Sequence, residues 1–188
     1  MLLFLISCDE QGGTKDEYGN ELNLSAPYVN EADIESINEA FSLHDEAPWG
    51  FRHVGIDFFP SKSLKQFKAS CAGNVSKVEL WQNKEKWQVN ISIDCDEKFK
   101  LLYSFEPFTK NKAIGEEQLR QISIKTGETI KKDDIIGALV LSNGTGHVHF
   151  SLKDNNEFIC PEKYFTEDAF NSIMRIIYKT HPDWEMCY

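Results

Sequence analysis

Between residues 49 and 152 the apolar side chains fall in short runs at every second position, and Gly, Asn and Asp break the runs apart. Val75, Val78 and Leu80 are followed by Val89, Ile91 and Ile93, then by Leu101 and Tyr103 and by Ile122 and Ile124. Ile135, Ile136, Leu139 and Leu141 come next, and Val148, Phe150 and Leu152 close the series. Side chains two apart on an extended strand share a face, so each run buries one side and wets the other. Short strands joined by turn residues pair with their chain neighbours, which predicts a mainly antiparallel β fold, a compact sandwich or barrel. Within 124–137, Gly127 and Gly137 permit tight turns while the isoleucines face inward.

One helix is predicted on each side of this β region. Asn30 suits an N-cap, Glu31 and Asp33 fall in the first turn, Val29 can staple onto Ile34, and Ile34, Ile37 and Phe41 recur at helical spacing. These features predict an N-terminal helix over 31–42. Thr166 caps the second, with Glu167 and Asp168 at the positive end of its dipole and Phe165 placed to staple onto Phe170. Phe170, Ile173, Met174 and Ile177 form its apolar stripe, and His181-Pro182 ends a C-terminal helix over 167–179.

The formal net charge is -10, and its placement divides the chain. Before residue 47 there are eleven acids and one base, Lys15; after it, nineteen acids face nineteen bases. An acidic arm therefore precedes a neutral domain, and no basic stripe points to nucleic acid as a partner. Residues 9–28, rich in Gly, Asn, Asp and Glu, read as a tether. The apolar stretch 1–8 is too short to span a bilayer. Leu5-Ile6-Ser7-Cys8 resembles the lipobox of bacterial lipoproteins, which implies acylation at Cys8, export, and a lipid anchor on the periplasmic face of a membrane. The divisions are then 1–8, a lipobox-like remnant; 9–28, the tether; 29–48, a helix and connection; 49–161, the main domain; and 162–188, a helical extension.

With Cys8 set aside, Cys71, Cys95, Cys160 and Cys187 remain, an even number that suits disulfides in an exported chain. A hairpin around residues 82–86 brings Cys71 toward Cys95, and Cys160 with Cys187 would tie down the C-terminus. Three pairings, and four free thiols, remain open on the sequence alone.

The chemistry concentrates in two histidine motifs. His147-Val148-His149 sets two imidazoles on one face of a strand, and His53 stands an even four residues before Asp57, which keeps those two together if the segment is extended. Two imidazoles and a carboxylate suit Zn2+ and leave its fourth position for water or substrate.

In order along the chain, Arg52-His53-Val54-Gly55-Ile56-Asp57, Ala69-Ser70-Cys71-Ala72-Gly73-Asn74-Val75, the Lys125-Thr126-Gly127 to Ile136-Gly137 segment and Gly144-Thr145-Gly146-His147-Val148-His149-Phe150 resemble the motifs of the lysostaphin and LytM type zinc endopeptidases. The resemblance spans residues 49–161. It implies a duplicated hybrid-motif β domain, zinc held by His53, Asp57 and His149, a catalytic imidazole at His147, and peptidoglycan cross-link peptides as substrate. The same glycine punctuation occurs in lipoyl and biotinyl carriers, but those need a lysine at an exposed hairpin tip and have no use for a metal triad.

One position departs from that family, whose active members carry a second catalytic histidine in a Tyr-x-His strand. The matching stretch here is Leu102-Tyr103-Ser104-Phe105-Glu106, with phenylalanine where the histidine is expected. A phenyl ring neither carries a proton nor donates a hydrogen bond, so two functions follow as expectations. One is a tethered zinc endopeptidase; the other is a catalytically impaired wall-binding or regulatory lipoprotein that keeps the zinc. His44 and His181 are the candidate replacements, and Tyr103 could offer a hydroxyl. Glu106, on the face opposite Phe105, reads as a poor substitute.

Overall fold

A computed structural model describes residues 22–188. Residues 1–21, with Cys8 and most of the proposed tether, lie outside the described residues.

Among the described residues, ten strands and two α-helices follow one another in the order β1 (Ile34–Ile37), β2 (Ile56–Pro60), β3 (Lys65–Lys68), β4 (Gly73–Asn83), β5 (Lys86–Asp94), β6 (Phe99–Thr109), α1 (Lys112–Arg120), β7 (Thr129–Ile130), β8 (Ile135–Leu139), β9 (His147–Asp154), β10 (Glu157–Ile159) and α2 (Glu167–Thr180). The large sheet runs β1-β2-β9-β6-β5-β4-β7, with β10 on β9, and β3 pairs with β8 in a second, two-stranded sheet. Every strand pair is antiparallel, as the period-two runs predict.

One face of the large sheet is the core. Leu101, Tyr103 and Phe105 on β6 and Val148, Phe150 and Leu152 on β9 are fully buried there. Phe67 on β3 meets Phe105 edge-on at 5.7 Å, joining the two sheets. The Tyr103 hydroxyl accepts from Ser70 N at 2.9 Å and sits 3.1 Å from Ser70 Oγ, so Tyr103 is a core tether and contributes no hydroxyl to the histidine motifs.

Three expectations change. Residues 31–42 hold no α-helix: a single 3-10 turn over Glu31–Asp33 leads directly into β1. The register of β1 on β2 shifts between Ile34 and Ser36, and that bulge turns Ile34 and Ile37 to the same buried side. An irregular strand thus reproduces the i, i+3 spacing of a helix. Residues 24–28 are packed and not part of a tether. Leu24 and Tyr28 are buried, Leu24 N donates to Tyr164 O at 2.7 Å and Ser25 N to Ser70 O at 3.0 Å. Ile122 and Ile124 lie outside any strand; Ile122 forms an isolated bridge to Gly137. The helix α1 has no counterpart among the predicted elements; its signal is the N-cap Asn111, whose side chain accepts from Ala113 N at 3.0 Å.

The C-terminal helix is where its pattern puts it. The Thr166 hydroxyl accepts from Ala169 N at 3.1 Å, and Ile173, Met174 and Ile177 are buried. Cys71 pairs with Cys95 and Cys160 with Cys187, the pairing that the hairpin register favours.

Candidate active site

The face of the large sheet away from the core gathers the four predicted residues. The H-x-H motif opens β9, so His147 and His149 share a side while Val148 takes the other. Register then completes the group: Asp57 on β2 lies opposite His149, and Ser104 and Glu106 on β6 lie opposite His149 and His147. Directly opposed residues of an antiparallel pair have side chains on the same face.

His53 reaches the group from a loop, since the chain bends at residues 54–55. A short antiparallel bridge holds it, with His53 N donating to Ser42 O at 3.0 Å and Ser42 N to His53 O at 2.6 Å. Gly55 permits the close approach that follows: a Cβ there would lie 2.5 Å from the His149 ring and 2.6 Å from Phe150 O.

The three predicted ligands converge. His149 Nδ1 lies 2.7 Å from Asp57 Oδ1 and 3.1 Å from His53 Nε2, and His53 Nε2 is 3.3 Å from Asp57 Oδ1. One donor atom from each falls within 4.8 Å of the others. The outer nitrogens are also engaged: His53 Nδ1 is 2.8 Å from Ala40 O, and His149 Nε2 is 2.8 Å from Ser151 Oγ. The Ala40 carbonyl only accepts, so it holds a proton on His53 Nδ1 and leaves Nε2 turned toward the common centre, while Ser151 Oγ orients the His149 ring. Two imidazole nitrogens, each on a ring oriented by a partner behind it, and one carboxylate oxygen fit zinc.

His147 stands beside this trio. Its Nε2 lies 3.4 Å from Asp57 Oδ2 and 3.7 Å from Glu106 Oε2, so it sits between two carboxylates. Phe59 and Phe108 flank its ring at 5.0 and 4.8 Å, and its Nδ1 is buried without a hydrogen-bond partner among the described residues.

The electrostatics follow from burial and crowding. Burial opposes the Asp57 charge, but His147, His149 and His53 outweigh it and hold the carboxyl well below the usual carboxylate range. Burial likewise opposes protonation of His53, yet Asp57, the Ala40 carbonyl and Glu39 raise its pKa. Burial pushes His147 down to about 4, so its imidazole is neutral at pH 7. Burial, with Asp57 adding to it, pushes Glu106 up to about 7.

The position facing the site on β6 is Glu106, not Phe105. Phe105 packs into the core against Phe67, whereas Glu106 faces His147, so the expectation that position 105 lines the site is corrected and Glu106 lies on the histidines' face. The alternation Phe99, Leu101, Tyr103, Phe105 already marks the odd positions of β6 as its core face. His44 and His181 do not fill the gap. His44 is exposed, and His181 stacks on Trp184 at 3.7 Å.

No protein-family model matches the chain, and no curated protein matches its sequence. Solved structures do match in shape. A chain of the SpoIIQ–SpoIIIAH pore forming complex superposes with a TM-score of 0.57 at 19% identity, covering 82% of this chain and 97% of that one. Lysostaphin gives a TM-score of 0.52 at 17% identity, covering 77% of this chain and 56% of its own. The chain has the lysostaphin-type fold. A zinc containing peptidase from Vibrio cholerae shares it, with a TM-score of 0.52 at 18% identity and coverage of 77% and 44%. The chain thus spans about half the length of lysostaphin and less than half of the Vibrio peptidase. On this lysostaphin-type fold, the sheet face away from the core carries Asp57, His147 and His149, and the loop before β2 brings His53 to them.

Proposed function

We propose that this protein is a zinc-dependent endopeptidase acting on peptidoglycan cross-link peptides, anchored by a lipid at Cys8 on the periplasmic face of a bacterial membrane. The observation that carries the reading is the convergence of His53 Nε2, Asp57 Oδ1 and His149 Nδ1, with His147 beside them. The zinc containing peptidase from Vibrio cholerae and lysostaphin, which share the fold, support it.

His53, Asp57 and His149 would hold the ion. Bound zinc polarises a carbonyl and lowers the pKa of water bound to it. Asp57, anionic across the neutral range, balances that charge, while Ala40 O and Ser151 Oγ fix the two ring orientations. His147, neutral and walled by Phe59 and Phe108, donates a hydrogen bond to the oxyanion that forms at the scissile carbonyl.

The test is release of soluble peptide fragments from purified peptidoglycan. The expected result is release by the wild type, loss on treatment with a chelator, recovery on adding zinc, and none by His149→Ala. Release that persists in His149→Ala would contradict the reading.

A second reading, a wall-binding or regulatory lipoprotein that keeps the zinc, draws on the aromatic cover over His147. A chain of the SpoIIQ–SpoIIIAH pore forming complex shares the fold, which fits a protein partner as well. Zinc binding with no fragment release would select it.

A further inference from the structure

Glu106 is the polar residue that β6 presents to His147. The β6–β9 register stays regular through Glu106, which lies opposite His147. On the other edge β6 breaks away from β5. Trp87 pairs with Thr109 and Val89 with Phe105, so Glu106, Pro107 and Phe108 together lie opposite the single residue Gln88.

The bulge holds Phe108 at a φ of 48°, which is uncommon for a bulky side chain, and Pro107 gives up a ladder hydrogen bond. Gly146 closes the other side: a Cβ there would lie 2.8 Å from Glu106 O and 3.3 Å from Pro107 Cα. A strained bulge and a close glycine thus fix the backbone around one carboxylate whose Oε2 is 3.7 Å from His147 Nε2.

We propose, resting on the hydrolase reading, that Glu106 is the second acid–base group of this site, in the role that the family resemblance gives to a histidine. In the step assigned to it, Glu106 takes a proton from the attacking water as the water oxygen bonds to the scissile carbonyl carbon. The C–N bond then breaks, the same proton passes from Glu106 to the departing amine nitrogen, and the carboxylate is regenerated. The groups around Glu106 are Asp57 from β2, His147 and His149 from β9, His53 from the preceding loop and Lys86 from β5. Burial and the Asp57 charge oppose its ionisation while His149, Lys86 and His53 favour it, the balance that suits a group cycling its proton near neutral pH.

The test compares wild type, Glu106→Gln and Glu106→His, each loaded with zinc, on purified peptidoglycan. Glu106→Gln is expected to lose about 100-fold or more in kcat, with KM and zinc content within about twofold of wild type and the acid limb of the kcat/KM profile abolished. Glu106→His restores a proton carrier and is expected to recover most of the rate. In the zinc-free protein, carbon-13 NMR of labelled glutamate carboxyls should show one titration near pH 7 that Glu106→Gln removes. A wild type that cuts beside an equally active Glu106→Gln variant overturns the Glu106 role alone. A wild type that holds zinc and cuts nothing overturns the hydrolase reading and this role with it.

Discussion

At the residue scale, two neighbours on β6 face the opposite way from what the sequence resemblance implies: Phe105 faces the core and Glu106 faces His147. Phe105 is fully buried against Phe67, so Phe105→His would place a polar ring in the core and not in the site. We predict a loss of about 3 kcal/mol or more in urea unfolding, with no gain in peptidoglycan cleavage; a stable variant with a faster rate would contradict the placement. Glu106 carries a pH signature. Its folded-state value is raised from 4.5 to about 7, so the protonated form is favoured by folding. That contribution is full below about pH 4.5 and is lost as pH rises through about 7. Zinc-free wild type should therefore lose stability relative to Glu106→Gln across this window, and a flat difference would refute the assignment. The histidine motifs were legible because alternation alone sets His147 and His149 on one face. Glu106 is hidden behind the Tyr-x-His resemblance, which points to position 105, although the apolar alternation of β6 points to 106.

At the element scale, regular strands were legible and irregular ones were not. Val89, Ile91 and Ile93 on β5 and Val148, Phe150 and Leu152 on β9 alternate cleanly, and both lie in the large sheet. At β1 the bulge beside Ser36 places Ile34 and Ile37 inward together, a spacing that sequence cannot tell from a helical stripe. The short α1 has a weak sequence signature because Gly115, a poor helix former, lies inside it; that glycine admits Trp87, whose Cβ would stand 2.6 Å from an added methyl group. The bend before β2 makes the same demand at the site. Gly55→Ala should force the His149 ring aside, and we predict at least tenfold weaker zinc binding by competition with a chelator, with the strand content of the circular dichroism spectrum retained. Unchanged affinity would show that the ring has room to move.

At the scale of the whole molecule, residues 184–188 support the candidate metal site. The Cys160–Cys187 disulfide holds the last residues beside Phe41, whose N donates to Met186 O at 3.0 Å and whose O accepts from Tyr188 N at 2.9 Å. The adjoining Ala40 O orients His53, and Trp49 packs edge-on against His53, Trp184 and Tyr188. Replacing both cysteines by serine should cost about 3 kcal/mol of stability for a crosslink spanning 27 residues, measured by urea unfolding, and should also weaken zinc binding. A stability loss without an affinity change would separate the tail from the site. Composition and cysteine parity indicated crosslinks, but only the folded hairpin decides the partners. Zinc content of the purified protein tests the assignment of His53, Asp57 and His149 as ligands. One zinc per chain is expected in the wild type and none in His53→Ala, Asp57→Ala or His149→Ala; zinc retained in all three variants, or absent from the wild type after zinc is supplied, would contradict the assignment.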